Sequence, residues 1–465
     1  MTVLEQDAPA RRRRLPQLPA GWPIAAAIAG FPLWWALGIT ALVFPVAAGV
    51  LLVQLVRRGN VRVPPGFWLW MLFLAVVLAS AVMLDVTAPG TLPPEGTGRY
   101  LAYAFRFLNY GSVAVVMLYV GNLPDSALPR LRVVRWMALL AVWTIGLGLL
   151  SIALPELSFR TPLSSLLPSA LGDLLDGQGG RVSLAQVQPV LGVAAPRPAA
   201  PFAYTNAWGN TLSLLLVWLV VAVWAGGRRT RVLGAVLLAV SVVPIVYSLN
   251  RGMWIGLGLS LGYVALRLAM RGRLLAIGAL AIVLGLGTIT FVASPLDTLV
   301  AERLENGHSN DVRESLAGDA VAAAASSPAL GYGSTRAVIG SQDSIAIGRS
   351  ATCPKCGNFN IGSTGQYFLL LVAQGFLGTA IYVAYFLRTL WAYRFDASPV
   401  GVAGSLVVLL SLFYGFFYTA LLMPLAVTFL SIGLLWRNAQ VRAERAGGDT
   451  AVPVPPARTG PLVRA

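Results

Sequence analysis

The chain has 465 residues, of which 57% are hydrophobic and 11% are charged, and its mean hydropathy is +0.73. This composition excludes an ordinary soluble globular protein and is typical of polytopic membrane proteins. The formal net charge of +16 indicates membrane topology and attraction to anionic lipid. Nucleic acid is not an expected partner, because no arginine-and-aromatic stripe or nucleic-acid-binding motif accompanies the charge.

The two ends of the chain are predicted to be disordered cytoplasmic tails. Residues 1–20 and 438–465 are rich in Arg, Pro, Ala and Gly. The basic N-terminus followed by an apolar stretch also fits a secretory signal peptide. A second apolar run follows with no polar cleavage region between them, which favours an uncleaved signal anchor.

Residues 21–436 form the predicted transmembrane domain. A membrane-spanning helix needs roughly 20 apolar residues, and about twelve segments approach that length. They are 21–37, 39–56, 66–84, 99–121, 133–154, 203–225, 232–249, 253–270, 274–293, 365–387, 399–418 and 421–436. The first two segments fit either a tight helical hairpin or one long bent helix.

The distribution of arginines favours the hairpin and sets the predicted topology. With a cytoplasmic N-terminus carrying Arg11 to Arg14, a hairpin puts Arg57, Arg58 and Arg62 on the same side, as the positive-inside rule requires. Both termini are then cytoplasmic, and the fold class is an all-α polytopic membrane protein of the plasma membrane. Two long loops, 155–202 and 294–363, face the extracytoplasmic side.

The first outer loop contains LSSLLPSALGDLL, whose leucine spacing predicts a short interfacial amphipathic helix. It ends in the stretch Arg197 to Asn206 at the mouth of the sixth segment. Before this loop, Arg106 lies in the middle of an apolar segment, where an arginine is expected to face the bundle interior or a water-filled cavity. Asp85 and Tyr110 are its candidate partners.

Arg251 lies at the outer end of the seventh segment, in YSLNRGMW. One interpretation is a snorkelling or helix-capping arginine. The other is an anion clamp, because a guanidinium binds phosphate oxygens through paired N–H donors and stays protonated. The adjacent Gly252 would then allow a close approach of substrate.

The second outer loop, 294–363, holds the only His, the only Lys and both Cys of the chain, and it is expected to contain short helices. An Ala-rich helix is predicted after NGHSND, closed by Pro328 and a turn at Gly331 and Gly333. Arg313, near the start of this helix, is either an exposed charge paired with Asp311 or Glu314 or part of a phosphate-binding surface. Arg303, Arg336 and Arg349 lie on the same side of the membrane and are candidates for that surface.

His308 is either incidental or a general base, since its ordinary pKa near 6.5 suits proton transfer. The competing carboxylates are Glu302, Glu305, Asp311 and Asp319. Cys353 and Cys356 are interpreted as a disulfide clip on an oxidising face, with a redox-active pair as the alternative. A zinc site would need further ligands, so neither a metal nor another cofactor is expected.

The order of these motifs resembles the O-antigen ligase and polymerase family. The matching residues are Asn250 to Trp254, Arg313 with the Ala-rich helix, Gly331 to Gly333, Gln366 to Leu370, Gln374 to Gly378, and the Arg197 to Asn206 element. The resemblance implies transfer of a glycan from a polyprenyl diphosphate to the hydroxyl of an envelope glycan or lipid acceptor on the outer face. It also implies that Arg251 and Arg313 hold the diphosphate, with Arg197 and Arg336 as further candidates.

The sequence departs from the family pattern where a catalytic base is usual. The family carries a His-Asn pair just before Gln366, and the corresponding residues here are Thr364 and Gly365. A carboxylate or His308 would have to replace that base. The alternative functions are a twelve-helix transporter or flippase of lipid-linked glycan and a non-enzymatic envelope scaffold. Transporters usually show repeats and segments broken by Gly or Pro at corresponding positions, and the sequence shows neither.

Overall fold

The computed structural model is mostly helical (72%), and it describes residues 18–166, 180–188, 195–292, 300, 308–337 and 360–448. The helices are α1 (Trp22–Ala29), α2 (Phe31–Leu37), α3 (Thr40–Arg58), α4 (Phe67–Ala79), α5 (Gly98–Asn122), α6 (Arg130–Ala153), α7 (Pro162–Leu166), α8 (Thr205–Trp224), α9 (Arg228–Tyr247), α10 (Arg251–Ala269), α11 (Leu274–Val292), α12 (His308–Ser326), α13 (Gln366–Tyr393), α14 (Pro399–Tyr414) and α15 (Met423–Gly448). A 3₁₀ turn, Ser80–Met83, extends α4.

Every apolar segment predicted from the sequence overlaps at least one of these helices. Among the described residues, seven helices are long and apolar enough to cross a membrane, namely α3, α5, α6, α8, α9, α10 and α13. Helix α4 with its 3₁₀ extension, and helix α14, are shorter apolar helices. By length and composition the chain is therefore a helical membrane protein.

The first apolar run folds as a hairpin, and not as one long helix. Gly38 ends α2 with φ 82°, and α3 begins at Thr40. Helix α1 packs back against α3. The first arm is itself broken at Gly30, which the sequence interpretation did not anticipate.

Short strands occur in both loops that were predicted to face outward, 155–202 and 294–363, where only short helices were expected. They are β1 (Ser158–Arg160), β2 (Arg181–Ser183), β3 (Ala185–Gln188), β4 (Ala195–Pro198), β5 (Arg336–Ala337) and β6 (Asn360–Ile361). They pair as three antiparallel ladders, β1 with β2, β3 with β4, and β5 with β6. Of the predicted amphipathic helix in the first loop, the structure describes only α7; residues 167–179 lie outside the described part.

An aromatic core fixes the helices beneath the second outer loop. Trp70 of α4 is fully buried, and its ring centroid lies 4.5 Å from that of Phe429 in α15 and 5.3 Å from that of Tyr385 in α13. Phe73 and Tyr110 continue the cluster toward α5, with ring centroids 5.1 Å apart. Because aromatic pairs bury large areas in defined geometries, this core holds α4, α5, α13 and α15 in one arrangement.

Candidate functional site

Helix α13 is broken at Gly375, and the turn that follows α12 docks into the break. The Gly375 backbone has φ 66° and ψ −169°, so the regular ladder of helical hydrogen bonds is interrupted there. The turn supplies three replacement bonds: Tyr332 N–H to the Val372 carbonyl (2.7 Å), Gly333 N–H to the Ala373 carbonyl (2.8 Å), and Leu377 N–H to the Pro328 carbonyl (3.0 Å). Irregular backbone at membrane depth needs such internal partners.

Two glycines permit this contact between backbones. Gly331 has φ +61°, and a Cβ there would lie 2.6 Å from the backbone carbonyl carbon of Ala373. A Cβ on Gly375 would lie 2.5 Å from the carbonyl oxygen of Pro328. The Gly-Tyr-Gly and Gln-Gly-Phe-Leu-Gly motifs of the sequence therefore form the two halves of one joint.

The Ala-rich helix predicted from the sequence is α12, and it begins at His308. Its apolar side, with Leu316, Ala320 and Ala323, is buried in a cluster with Tyr332 and Val372. Small alanines allow close packing of α12 against α13. The joint and this packing together fix the orientation of α12, including its first turns, which carry Arg313.

The start of α10 is fixed by Asn250, its N-cap residue. The Asn250 Oδ1 accepts a hydrogen bond from the Met253 N–H at 3.4 Å, and it also accepts one from the hydroxyl of Tyr418. An N-cap defines where a helix begins. Arg251 is therefore the first residue of α10, directly at the end of the helix.

Arg197 supports the segment just before this helix. It lies in β4, paired with Gln186 of β3, and it is only 6% exposed. Its Nε donates to the carbonyl of Ser248 at 2.6 Å. The Arg-and-Asn element recognised in the sequence thus contacts Ser248, two residues before the Asn-Arg-Gly element.

Arg251 and Arg313 converge although 62 positions separate them in the sequence. Burial lowers the pKa of the Arg313 guanidinium; the neighbouring Tyr418 opposes this change, and the positive charge of Arg251 lowers the pKa further. Arg197 and Arg313 are both within electrostatic range of Tyr418. Two of the four predicted diphosphate ligands, Arg197 and Arg313, therefore lie near one tyrosine, and Arg251 lies within electrostatic range of Arg313.

The Arg313 side chain is half-buried, and no carboxylate among the described residues forms an ion pair with it. The ion pairs found in the described ranges use Arg99, Arg130, Arg437 and Arg442, and none includes Arg313. Glu314, one predicted partner, is exposed and forms no such pair; the side chain of Asp311 lies outside the described residues. A half-buried cation beside a second cation is unfavourable until an anion binds, which is the arrangement expected of a phosphate site.

Arg336 does not join this group, and its prediction as a diphosphate ligand is not supported. Its side chain is 3% exposed, and its guanidinium donates to the carbonyls of Met83, Leu84, Val86 and Tyr332 at 2.9–3.3 Å. These bonds tie the second outer loop to the end of α4. The arginine has a structural role, because its N–H donors already bind backbone carbonyls.

We expect Arg336→Gln to lower the free energy of unfolding by roughly 3 kcal/mol, because several buried carbonyls lose a charged donor. Unfolding in detergent, with protease sensitivity of the loop, measures the effect. Arg181→Gln is the matched control, since Arg181 is exposed and donates only to Ser158 among the described residues. Unaltered stability of the Arg336 variant would contradict the structural role.

Gly252 also has a role different from the predicted one. A Cβ there would lie 2.3 Å from the hydroxyl oxygen of Tyr418, and a Cβ on Gly256 would lie within 2.5 Å of Cζ of Tyr414. These glycines let the two tyrosines pack against α10. Gly252 therefore makes room for Tyr418; the close approach of a substrate there stays a prediction.

For other predicted residues, the side chain or the whole residue lies outside the part of the chain that the structure describes. His308 is the first residue of α12, but its side chain is not described. Cys353 and Cys356 lie outside the described residues, in a segment whose flanking residues Ala337 and Asn360 are paired in the β5–β6 ladder. The predictions of a general base and of a disulfide at these positions are therefore untested.

Sequence reasoning missed two residues that connect the site. Tyr418 lies in an apolar stretch, and no sequence pattern there marked it as a site residue. Gln366, known only as part of a motif, donates through its N–H to the Tyr418 carbonyl (2.9 Å) and through Nε2 to the Tyr110 hydroxyl (3.0 Å). The start of α13 is thereby joined to the loop between α14 and α15.

Arg106 contacts the second outer loop, and not Asp85. Its Nη1 donates to Ser334 Oγ at 3.2 Å. Asp85 instead forms an ion pair with Arg99 at 2.5 Å. Tyr110, the other predicted partner, does lie within electrostatic range of Arg106.

Thr364 occupies the position where the family pattern has His. Its hydroxyl is buried and has no hydrogen-bond partner among the described residues. A threonine hydroxyl can position a substrate group, but a neutral hydroxyl is too weakly basic to act as the general base.

No protein-family model matches this chain, and no curated protein matches it.

Proposed function

We propose that this protein is a cell-envelope glycan ligase or polymerase that uses a polyprenyl diphosphate-linked glycan as donor. The proposed architecture has about twelve membrane spans, cytoplasmic termini and an active site on the extracytoplasmic face of the plasma membrane. The observation that carries the proposal is the half-buried Arg313, held beside Arg251 by a docked loop helix, without a described carboxylate partner. Arg197 supports the same site from β4.

The arrangement suits the charge that develops during glycan transfer. The bond between the sugar C1 and the diphosphate oxygen breaks, while the acceptor hydroxyl oxygen bonds to C1 and loses its proton to a base. The carrier leaves as polyprenyl diphosphate with one further negative charge. Guanidinium groups already aimed at this leaving group stabilise the charge where it forms.

The proposal assigns Arg251 and Arg313 to the diphosphate and Arg197 to support of their segment. The base remains to be identified among His308 and the loop carboxylates, because Thr364 cannot fill that role. Neither a metal nor another cofactor is part of the proposal. The acceptor is an envelope glycan or lipid.

A lipid-linked glycan flippase is the second candidate, and the broken helix α13 favours it. The sequence interpretation found no pair of broken segments at corresponding positions; the structure shows one break, at Gly375. Discontinuous helices often form the substrate sites of transporters. In this protein, however, the break is filled by the turn at 327–333, which leaves its backbone groups bonded to protein.

One assay separates the two candidates. Purified protein in liposomes would receive polyprenyl diphosphate-linked oligosaccharide, alone to test polymerisation and with envelope glycan to test ligation. We expect protein-dependent release of free polyprenyl diphosphate, measured by mass spectrometry. If the protein speeds the movement of intact donor across the bilayer and releases no polyprenyl diphosphate, it is a flippase and not a transferase.

A further inference from the structure

Arg106 is a cation on the inner face of α5, a helix long and apolar enough to cross a membrane. It lies eight residues, or about 12 Å, from the start of this helix at Gly98. Leu101 and Leu108 are exposed, whereas Tyr110 and Val113 are buried. At about 100° per residue, Arg106 lies on the side of the buried pair and opposite the exposed pair. Its charge therefore faces the bundle and not the lipid.

The Arg106 guanidinium has one hydrogen-bond partner and no ion pair in the described ranges. Its Nη1 donates to the Ser334 hydroxyl at 3.2 Å, and the ion pairs use other arginines. The nearby carboxylate of Asp85 accepts instead from Arg99 and from the Tyr100 hydroxyl. Since a cation without a partner is costly inside a membrane protein, this arginine is expected to meet an anion or water.

Two nitrogens of Arg106 can be reached by a ligand. The side chain as a whole is half-buried. Among the described residues, the fully buried polar atoms that lack a partner include no nitrogen of Arg106, so Nε and Nη2 keep accessible surface. Because Arg106 lies on the inner face of α5, this surface is reached from inside the bundle, beside Ser334.

The surroundings of Arg106 carry a surplus of positive charge. Arg336 lies within electrostatic range of both Arg99 and Arg106. Asp85, the carboxylate that acts on the same arginine, already pairs with Arg99 at 2.5 Å. In the described part of the chain, three arginines thus share one acid that is already compensated. A further anion is therefore favoured here.

Gln366 separates Arg106 from the diphosphate site. Its Nε2 donates to the hydroxyl of Tyr110, one turn along α5 from Arg106, and its main-chain N–H donates to the Tyr418 carbonyl. The Tyr418 side chain lies within electrostatic range of Arg313, whereas Arg106 acts on Tyr110. An anion at Arg106 would therefore lie near the carrier diphosphate without occupying the same site.

We propose that Arg106 binds an acidic group, a sugar carboxylate or phosphate, on the acceptor. This inference rests on the transferase function proposed above. In a single displacement at the sugar C1, the attacking hydroxyl and the leaving oxygen lie on opposite sides of the carbon, so the acceptor lies across from Arg251 and Arg313. Nε and Nη2 of Arg106 present the parallel N–H donors that suit a carboxylate or phosphate. Arg106 thereby selects acidic acceptors over neutral ones.

Labelling with phenylglyoxal, which modifies arginine side chains, tests this in the wild-type protein without a variant. Purified protein in detergent would be labelled alone and with millimolar glucuronate, glucose 6-phosphate, glucose or short-chain polyprenyl diphosphate, and each arginine would be read by peptide mass spectrometry. We expect glucuronate or glucose 6-phosphate to slow labelling of Arg106 at least about fivefold, and glucose to leave it unchanged. The stronger of the two identifies the acidic group as carboxylate or phosphate.

Other arginines serve as controls in the same experiment. The exposed Arg181 should react at one rate in every sample, and Arg336, only 3% exposed, should not react. Polyprenyl diphosphate should protect Arg313 and leave Arg106 reactive.

Three results would overturn the inference. Absence of labelling at Arg106 while Arg181 reacts would show that the guanidinium is closed to ligands. Equal labelling of Arg106 with glucose and with both acidic sugars would show that it binds no anion. Protection of Arg106 by polyprenyl diphosphate to the same extent as Arg313 would assign it to the carrier and not to the acceptor. By contrast, protection of Arg106 by an acidic sugar with no protection of Arg313 by the diphosphate would contradict the proposed function and support the anion site at Arg106.

Discussion

Arg313→Ala is expected to reduce glycan transfer by at least about 100-fold, the usual effect of removing one donor that stabilises developing negative charge. The reason is that Arg313 is a half-buried cation beside Arg251, so its charge acts in a partly dry site. Arg313→Lys keeps the charge but loses the paired donors, and a loss of about tenfold is expected. Release of polyprenyl diphosphate from the donor measures both effects.

The stability of the same variant distinguishes a ligand site from a structural one. Since Arg313 forms no described ion pair and is repelled by Arg251, its removal should leave thermal unfolding unchanged or raise the midpoint. Arg181→Ala is the control, because Arg181 is exposed on β2 in the first outer loop. Full transfer activity in Arg313→Ala would contradict the role proposed for this arginine. A large loss of stability would show that Arg313 holds the fold.

Gly375→Ala is expected to loosen the joint between α13 and the second outer loop. The residue has φ 66°, and a Cβ would lie 2.5 Å from the Pro328 carbonyl oxygen. Strain of about 3 kcal/mol would raise amide hydrogen exchange at Tyr332, Gly333 and Leu377 roughly 100-fold. Transfer activity should fall with it, because the joint helps to orient the helix that carries Arg313.

Gly318→Ala is the matched control for the joint. Gly318 lies in α12, and a Cβ there would meet nothing within 4 Å. Alanine favours a helix by about 1 kcal/mol over glycine, so exchange at the three joint amides should stay equal or slow slightly. If both glycine variants loosen the loop equally, the joint is not what holds it.

The sequence predicted the helices well because their signal is local. Runs of apolar residues bounded by arginines and glycines mark where helices begin and end, and the segment predicted at 99–121 became Gly98–Asn122. The paired strands were missed, since Ser158–Arg160 and Arg181–Ser183 meet only through loop closure. The break at Gly375 was missed because its flanking residues are as apolar as those of an unbroken helix.

The candidate site was only partly predictable, because local sequence patterns do not show which distant residues meet in the fold. Their positions at predicted helix ends made Arg251 and Arg313 candidates, and the resemblance then assigned the diphosphate to both. That they lie within electrostatic range of each other depends on the docking of α12. Arg336 carries the same side chain, but no local pattern could show that its donors would be used by backbone carbonyls. Tyr418 was overlooked because an apolar stretch gives no sign of which hydroxyl will lie near two arginines.

Binding of the carrier tests the central claim most directly. Purified wild-type protein and the Arg251→Ala and Arg313→Ala variants would be titrated with short-chain polyprenyl diphosphate, monophosphate and free polyprenol. We predict that the wild type prefers the diphosphate over the monophosphate and the alcohol, and that each variant binds the diphosphate at least about tenfold more weakly. Equal affinity for the diphosphate and the alcohol, or unaltered diphosphate affinity in both variants, would contradict an arginine site for the carrier phosphates.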